Sequence, residues 1–177
     1  IKVGEEVVKI SGVNADKSGY WLLSGLTPSG SVILKSTDKG ANWTVVHQDK
    51  NGTFVRIGET LGKTIYALQH HVEEKERKCE LLVSYDEGAT FSLVKIPQIE
   101  PTLSQAYFYI TYNAASKTIA VGGGEWINID KKHLIYAVYT SGDEGKTWTA
   151  QDSYMGPEVD GQLADIHALR FDENGYL

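Results

Sequence analysis

The segment Gly122-Gly123-Gly124-Glu125-Trp126-Ile127-Asn128-Ile129-Asp130 carries the residue types that a sugar site needs. An indole face stacks on a sugar ring while carboxylates and a carboxamide bond its hydroxyls, so Trp126 with Glu125, Asn128 and Asp130 reads as a glycan contact. The same residues also suit a glycine-rich crossover whose tryptophan packs against a neighbouring element. His70-His71 beside Glu73-Glu74 offers metal-ligating types. Adjacent side chains of an extended strand point to opposite faces, and no second cluster completes a ligand set, so the expectation is a surface histidine pair and no metal. No Ser-His-Asp spacing, phosphate-cradling glycine loop ahead of a helix, or Cys-His pair stands out in the sequence. No cofactor is expected.

Composition narrows the partners. The 177 residues carry a formal net charge of -6, and a chain that grips phosphate backbones needs clustered Lys and Arg instead. Nucleic acid is therefore not an expected partner. No run of 18 or more apolar residues is available to cross a bilayer, and the opening Ile1-Lys2-Val3-Gly4-Glu5-Glu6 lacks the basic and apolar regions of a signal peptide. Membrane insertion is not expected. A single cysteine, Cys79, excludes an intramolecular disulfide, so stability has to come from packing.

The elements that would position any site announce themselves as an internal repeat. Ser36-Thr37-Asp38-Lys39-Gly40-Ala41-Asn42-Trp43, Ser84-Tyr85-Asp86-Glu87-Gly88-Ala89-Thr90-Phe91 and Ser141-Gly142-Asp143-Glu144-Gly145-Lys146-Thr147-Trp148 share the pattern Ser-x-Asp-x-Gly-x-x-aromatic. A random window matches with a probability on the order of one in 10⁵ at ordinary residue usage, so three copies are not accidental. Asp and Ser oxygens accept hydrogen bonds from turn N–H groups, Gly takes a positive φ without steric cost, and the aromatic residue buries a large face where the returning strand begins. The three Asp residues are therefore assigned to structure rather than to a glycosidase carboxylate pair.

β-rich runs flank each octet, Val32 to Lys35, Leu81 to Val83 and Ile135 to Tyr139 leading in, and Trp43 to Val46 and Phe91 to Val94 leading out. A second hairpin lies upstream of each: Val7 to Ser11 with Tyr20 to Leu23, Thr53 to Ile57 with Thr64 to Gln69, and Tyr107 to Tyr112 with Thr118 to Val121. Four strands per unit, with the Asp positions 48 and 57 residues apart from Asp38 to Asp86 to Asp143, is the spacing of propeller blades. The expected blades run over about 7–48, 53–97 and 106–151, and a fourth begins at about 165–177 with an inner strand from Asp165 to Phe171 and a turn at Asp172 to Gly175. A partial ring leaves blade faces and strand edges unpaired, so the remaining blades are expected from a longer polypeptide or from a second chain.

The octets resemble the Asp-box, or bacterial neuraminidase repeat, of sialidase-like β-propellers, in which it occupies the turn between the third and fourth strands of a blade. The resemblance spans about Val7 to Trp148, and the second copy departs from it by carrying Phe91 where Trp is usual. It implies an all-β fold, an extracellular or cell-surface setting, and either glycan recognition with or without hydrolysis or a noncatalytic scaffold for protein assembly at a cell surface or in a virion. Sialidases of this kind clamp a substrate carboxylate with three arginines from different blades, and a guanidinium fork suits that task. This chain has Arg56, Arg77 and Arg170. Arg56 and Arg170 fall on expected inner strands, whereas Arg77 lies in the charged run Glu73 to Lys78, which reads as a solvated loop. Phe54-Val55-Arg56-Ile57-Gly58 matches the family's Phe/Tyr-Arg-Ile-Pro motif only loosely, because it lacks the proline and follows the first octet. The nucleophilic Tyr and its Glu partner belong to later blades in that family, so the resemblance puts any catalytic residues largely outside this chain. Ligand contacts are expected on the face opposite the octet turns, where His70 to Lys78, Pro97 to Gln105, Gly122 to His133 and Asp152 to Ala164 read as long loops on a rigid scaffold.

Overall fold

The computed structural model describes all residues except 16–18, 59–62, 74–75, 95, 97–106, 128–132, 157–168 and 173. Its regular elements are all β-strands: β1 (Lys2–Val3), β2 (Glu6–Val7), β3 (Lys9–Ala15), β4 (Trp21–Thr27), β5 (Gly30–Ser36), β6 (Thr44–Asp49), β7 (Gly52–Ile57), β8 (Ile65–Glu73), β9 (Glu76–Ser84), β10 (Ser92–Val94), β11 (Tyr107–Asn113), β12 (Thr118–Ile127), β13 (His133–Ser141) and β14 (Thr149–Gly156). β1 and β2 form a small hairpin, and the rest make three four-stranded antiparallel sheets, each running through its four strands in chain order. The first strand of each later sheet lies against the sheet before it: β7 packs on β3, β4 and β5, and β11 packs on β7 and β8. This is the up-and-down blade order of a propeller.

Strand alternation explains why the sheets stack. In β8, Ile65 and Ala67 face the first sheet, where they join Tyr20, Leu22, Ile33, Val55, Ile57 and Leu82. The intervening Tyr66 and Leu68 face the third sheet and meet Leu81, Val83, Ile110, Tyr112, Ile119 and Val121. A strand buried on both faces reads as a continuous apolar run rather than as an alternation. Each fully buried side chain of this kind contributes roughly 1.5–3 kcal/mol.

Each octet joins the third strand of its sheet to the fourth. Ser36 Oγ accepts from the Gly40 amide at 2.8 Å and donates to Asp38 Oδ1 at 2.8 Å. The Asp38 carboxylate then accepts from the backbone and side-chain N–H groups of Asn42 at 2.8 and 2.7 Å. The second and third octets repeat this with Ser84 on the Gly88 amide and Ser141 on the Gly145 amide, both at 2.8 Å, and with Asp86 and Asp143 accepting from the backbones and hydroxyls of Thr90 and Thr147. Lys39, Glu87 and Glu144 take φ of 59°, 59° and 63°, each followed by its glycine at 88°, 78° and 88°. Two successive left-handed residues are what a tight turn with right-handed strand twist demands, and glycine holds the second at least cost. Trp43 and Trp148 close their turns by donating Nε1–H to the Gly40 and Gly145 carbonyls at 2.9 and 3.0 Å. Phe91 has no such donor and instead packs into the core shared by the first two sheets.

Several expected loops are strand. β8 and β9 continue through the charged run, with Val72 paired to Arg77 and Glu73 to Glu76. β12 continues through the glycine run, with Gly122, Gly123 and Gly124 opposite Val138, Ala137 and Tyr136. Asp152 to Gly156 belong to β14. Backbone pairing runs through these extensions, so neither charge nor the low strand preference of glycine ends them. The expected loop Pro97 to Gln105 lies outside the described residues. Of the inner strand expected from Asp165 to Phe171, residues 165–168 lie outside them, and Leu169 to Phe171 form no strand. The turn after it is present: Asp172 Oδ1 accepts from the Asn174 and Tyr176 amides at 2.9 and 2.8 Å, and Gly175 has φ of 84°.

Two outcomes follow. The hydrogen bonds of the octets hold their carboxyls low: those from Asn42 bring Asp38 to about 2, and those from Thr147 bring Asp143 to about 2, while those from Thr90 lower Asp86 as well. A folded-state value below the ordinary one near 3.8 gives stability that is present above about pH 4 and is lost as pH falls toward 2. Denaturant midpoints measured from pH 6 to pH 2 should fall across that window. The fall should be shallower in the triple variant Asp38→Asn, Asp86→Asn, Asp143→Asn, and an equal slope would refute the assignment. Tyr66, in turn, is buried with no hydrogen-bond partner for its hydroxyl among the described residues. An unpaired buried hydroxyl costs about 1–3 kcal/mol, so Tyr66→Phe should hold stability or raise it by about 1 kcal/mol in chemical denaturation, and a loss of that size would show that the hydroxyl is bonded.

Candidate functional site

Octet turns and first-hairpin turns share one end of the sheets: the Glu87 amide donates to the Lys63 carbonyl at 3.1 Å, and Asn14 Nδ2 reaches the Gly58 carbonyl at 3.0 Å. β8 and β12 run from that end to the opposite one, where the ligand face is expected. Glu125 and Trp126 stand near the far end of β12, opposite Ile135 and Leu134 in register. Their side chains, and all of Asn128 and Asp130, lie outside the described part of the structure.

The arginines occupy dissimilar places. Arg56, on β7, is half-buried, with its guanidinium 5.1 Å from the Tyr109 ring of β11 and 5.7 Å from the Phe54 ring. Such stacking ties the first strands of the second and third sheets together. Arg77 is a paired residue of β9 rather than part of a loop, and its side chain lies outside the described part. Arg170 is exposed, outside any strand, on an open concavity of about 680 Å³ that Asp172 and Tyr176 also line.

His70 and His71 do lie on opposite faces, yet they are not a surface pair. His70 is 2% exposed and stacks against Phe54 with ring centroids 4.9 Å apart. His71 belongs to a polar cluster on the face that meets the first sheet, where strand alternation carries the row Ile65, Ala67 onward to Gln69 and His71, and the row Leu82 onward to Glu80. Here the inter-sheet face changes from apolar to polar.

The cluster is wired in one direction. Gln69, 4% exposed, donates Nε2–H to Asp49 Oδ2 at 2.9 Å and receives His47 Nε2 on its Oε1 at 2.7 Å. A carboxylate only accepts, so Asp49 fixes the amide orientation, and the amide oxygen then requires His47 to carry its proton on Nε2. His71 Nδ1 stands 3.1 Å from Glu80 Oε2 and 3.7 Å from Asp49 Oδ2. The Glu80 acceptor requires a proton on Nδ1. Asp49 Oδ1 takes the Asn51 amide at 2.9 Å and so pins the connection from β6 to β7. These groups line an open cleft of about 470 Å³ whose apolar side is Leu82, Phe91 and Leu93, with Lys50 and Asn51 at the rim. Phe91 also meets the His47 ring at 5.9 Å. Among the described residues, no group of three or more His, Cys, Asp or Glu is placed to hold a metal ion.

The sequence reading missed this cleft because its members come from β6, β8, β9 and the start of β10. The signal available to it was the parity of Gln69 and His71 with Ile65 and Ala67, which predicts polar groups on a face that is otherwise buried.

No protein-family model and no curated protein matches the chain. Solved structures do. The endosialidase of phage phi92 superposes with a TM-score of 0.65 at 8% identity, over 94% of this chain and 29% of that one. YCF48 bound to a D1 peptide gives 0.57 at 17% identity, over 86% and 43%. A variant α-L-arabinofuranosidase from Fusarium graminearum, in complex with an iminosugar inhibitor, gives 0.55 at 17%, over 84% and 50%. The chain thus spans half or less of each structure. At these identities the likeness is one of fold, and the fold of this chain is that of a β-propeller built from four-stranded blades.

Proposed function

We propose that this chain recognises carbohydrate through the face opposite its octet turns. The observation that carries the reading is the polar end of the boundary between the first two sheets, where a buried amide, two imidazoles and two carboxylates stand beside an aromatic wall. Sugar sites combine these groups because hydroxyls need fixed acceptors and donors while the ring carbons need an apolar surface. Glu125 and Trp126 stand at the same end of the third sheet, and Asn128 and Asp130 follow them. Two structural neighbours, an endosialidase and an arabinofuranosidase with an iminosugar inhibitor, support the same reading. On it the octets are Asp-boxes, the setting is extracellular or at a cell surface, and Arg56 and Arg170 are secondary ligand contacts. Among the described residues no helix is long and apolar enough to cross a membrane.

The turn at Asp172 to Tyr176 is read as the first hairpin of a fourth blade. A methyl on Gly175 would sit 3.0 Å from Asn113 Nδ2, much as the Asn14 amide reaches Gly58 between the first two sheets. Further blades, from the longer polypeptide or a second chain, complete the ring.

A second reading, a noncatalytic scaffold for protein assembly, is favoured by the peptide bound to YCF48. A glycan array probed with the full-length protein separates the two. Binding to at least one glycan class is expected, and an array that stays silent overturns the carbohydrate reading. Wild-type behaviour of Glu125→Ala and Trp126→Ala, together with a stable stoichiometric protein partner, would favour the scaffold.

A further inference from the structure

We infer that the cleft between the first two sheets is itself a sugar subsite, selective for neutral rings bearing adjacent hydroxyls rather than for acidic sugars. This deepens the carbohydrate reading and rests on it.

Charge decides against an acidic ligand. Asp49 and Glu80 both approach one imidazole nitrogen, and no lysine or arginine forms an ion pair with either among the described residues. Among the described residues, the cation on the cleft wall is Lys50, exposed at the rim, where water and salt screen it. A sialic acid carboxylate entering here would face two carboxylates with no fork to receive it. A cationic ligand is disfavoured too, because the His71 N–H already occupies the space between the carboxylates, at 3.1 and 3.7 Å.

What remains unsatisfied suits hydroxyl donors. Asp49 spends its oxygens on Gln69, Asn51 and His71. Glu80 Oε1 has no partner among the described residues, and a carboxylate carries about four lone-pair positions. Asp49 Oδ1, which takes the Asn51 amide, keeps a further lone pair and adds a second carboxylate acceptor. Adjacent sugar hydroxyls donate to such a pair, while Phe91 and the exposed Leu93 offer the apolar surface for the ring carbons. Gln69, buried and bonded to His47 and to Asp49, holds the Asp49 carboxylate in place. The cleft volume falls within the roughly 300–1,000 Å³ of small-ligand sites.

The test compares wild-type full-length protein with Glu80→Gln and with Leu93→Arg on an array of neutral galactose-, glucose- and arabinose-terminated glycans and of sialylated ones. Affinities for positive glycans are then measured by calorimetry. Both substitutions are at partly or well exposed positions, and thermal denaturation confirms that each variant is folded. Leu93→Arg narrows the mouth without entering the core, so it reports on the cleft independently of the carboxylate. The expected result is binding to neutral glycans that each variant weakens at least tenfold, with no preference for sialylated glycans. Binding that persists undiminished in either variant, or that prefers sialylated glycans, overturns the subsite while the carbohydrate reading stands. A wild-type array with no signal removes both.

Discussion

Burial of a sheet on both faces is the constraint from which the rest of this molecule follows. In the second sheet, β8 commits alternate residues to its two neighbours, so Ile65 and Ala67 belong to the first sheet and Tyr66 and Leu68 to the third. A shift of register by one residue would exchange the two sets and pair each with the wrong partner. Register is therefore held at both faces simultaneously, and the turns that set it have little freedom. This gives a physical reason for the octets. Their Ser and Asp side chains satisfy turn amides internally, so a tight two-residue left-handed bend is available at the crowded end without help from neighbouring chain. Gly88 shows how close the packing is, since a methyl there would stand 3.0 Å from a Leu22 terminal carbon of the preceding sheet.

The two ends of each sheet consequently do different work. At the octet end, inter-sheet ties are short and local to the backbone: Lys35 of the first sheet donates to the Glu87 carbonyl at 2.6 Å while its ammonium sits 4.9 Å from the Tyr20 ring. Near the axis, Ser11 Oγ bonds the Val55 carbonyl and joins the first strands of two sheets. The opposite end of the boundary between the first two sheets is closed by a polar relay instead. An apolar row continued through Gln69, His71 and Glu80 would bury more hydrocarbon, at roughly 25 cal/mol per Å². Satisfied buried polar networks hold their members in fixed positions, although packing of similar volume is often as stable.

What could be read from sequence tracks how local each interaction is. The octets were legible because the hydrogen bonds of their Ser and Asp side chains lie within five residues, from Ser36 to Gly40 and from Asp38 to Asn42. The sheet count followed from them, since a turn recurring at blade spacing leaves only the strands between to be assigned. The limits of β8, β9 and β12 were not legible, because a strand ends where its partner ends. Arg77 is strand because Val72 is opposite it, and Gly123 because Ala137 is. The cleft was less legible still. His47 and Gln69 are 22 residues apart in the chain, and the oxygen that fixes the Gln69 amide belongs to Asp49, at the last position of an outer strand. Type and spacing raised the histidine pair as a metal candidate. Parity alone separates its two members, and only the neighbouring sheet gives one of them a role.

The same separation bears on how stability and binding are divided. In the second sheet the core residues of β8, Ile65 to Leu68, occupy the half nearest the tight turns, and none of the cleft's polar groups belongs to the core clusters. Gln69 is the link between the halves, because it shares its strand with Ala67 and its side chain with the cleft. A rigid scaffold with side chains free to differ at one end is the arrangement by which a common fold hosts unrelated sites. Among the described residues, the free end holds carboxylate, imidazole and amide groups beside an aromatic wall. On the proposed carbohydrate reading, such acceptors suit uncharged, hydroxyl-rich ligands better than carboxylates.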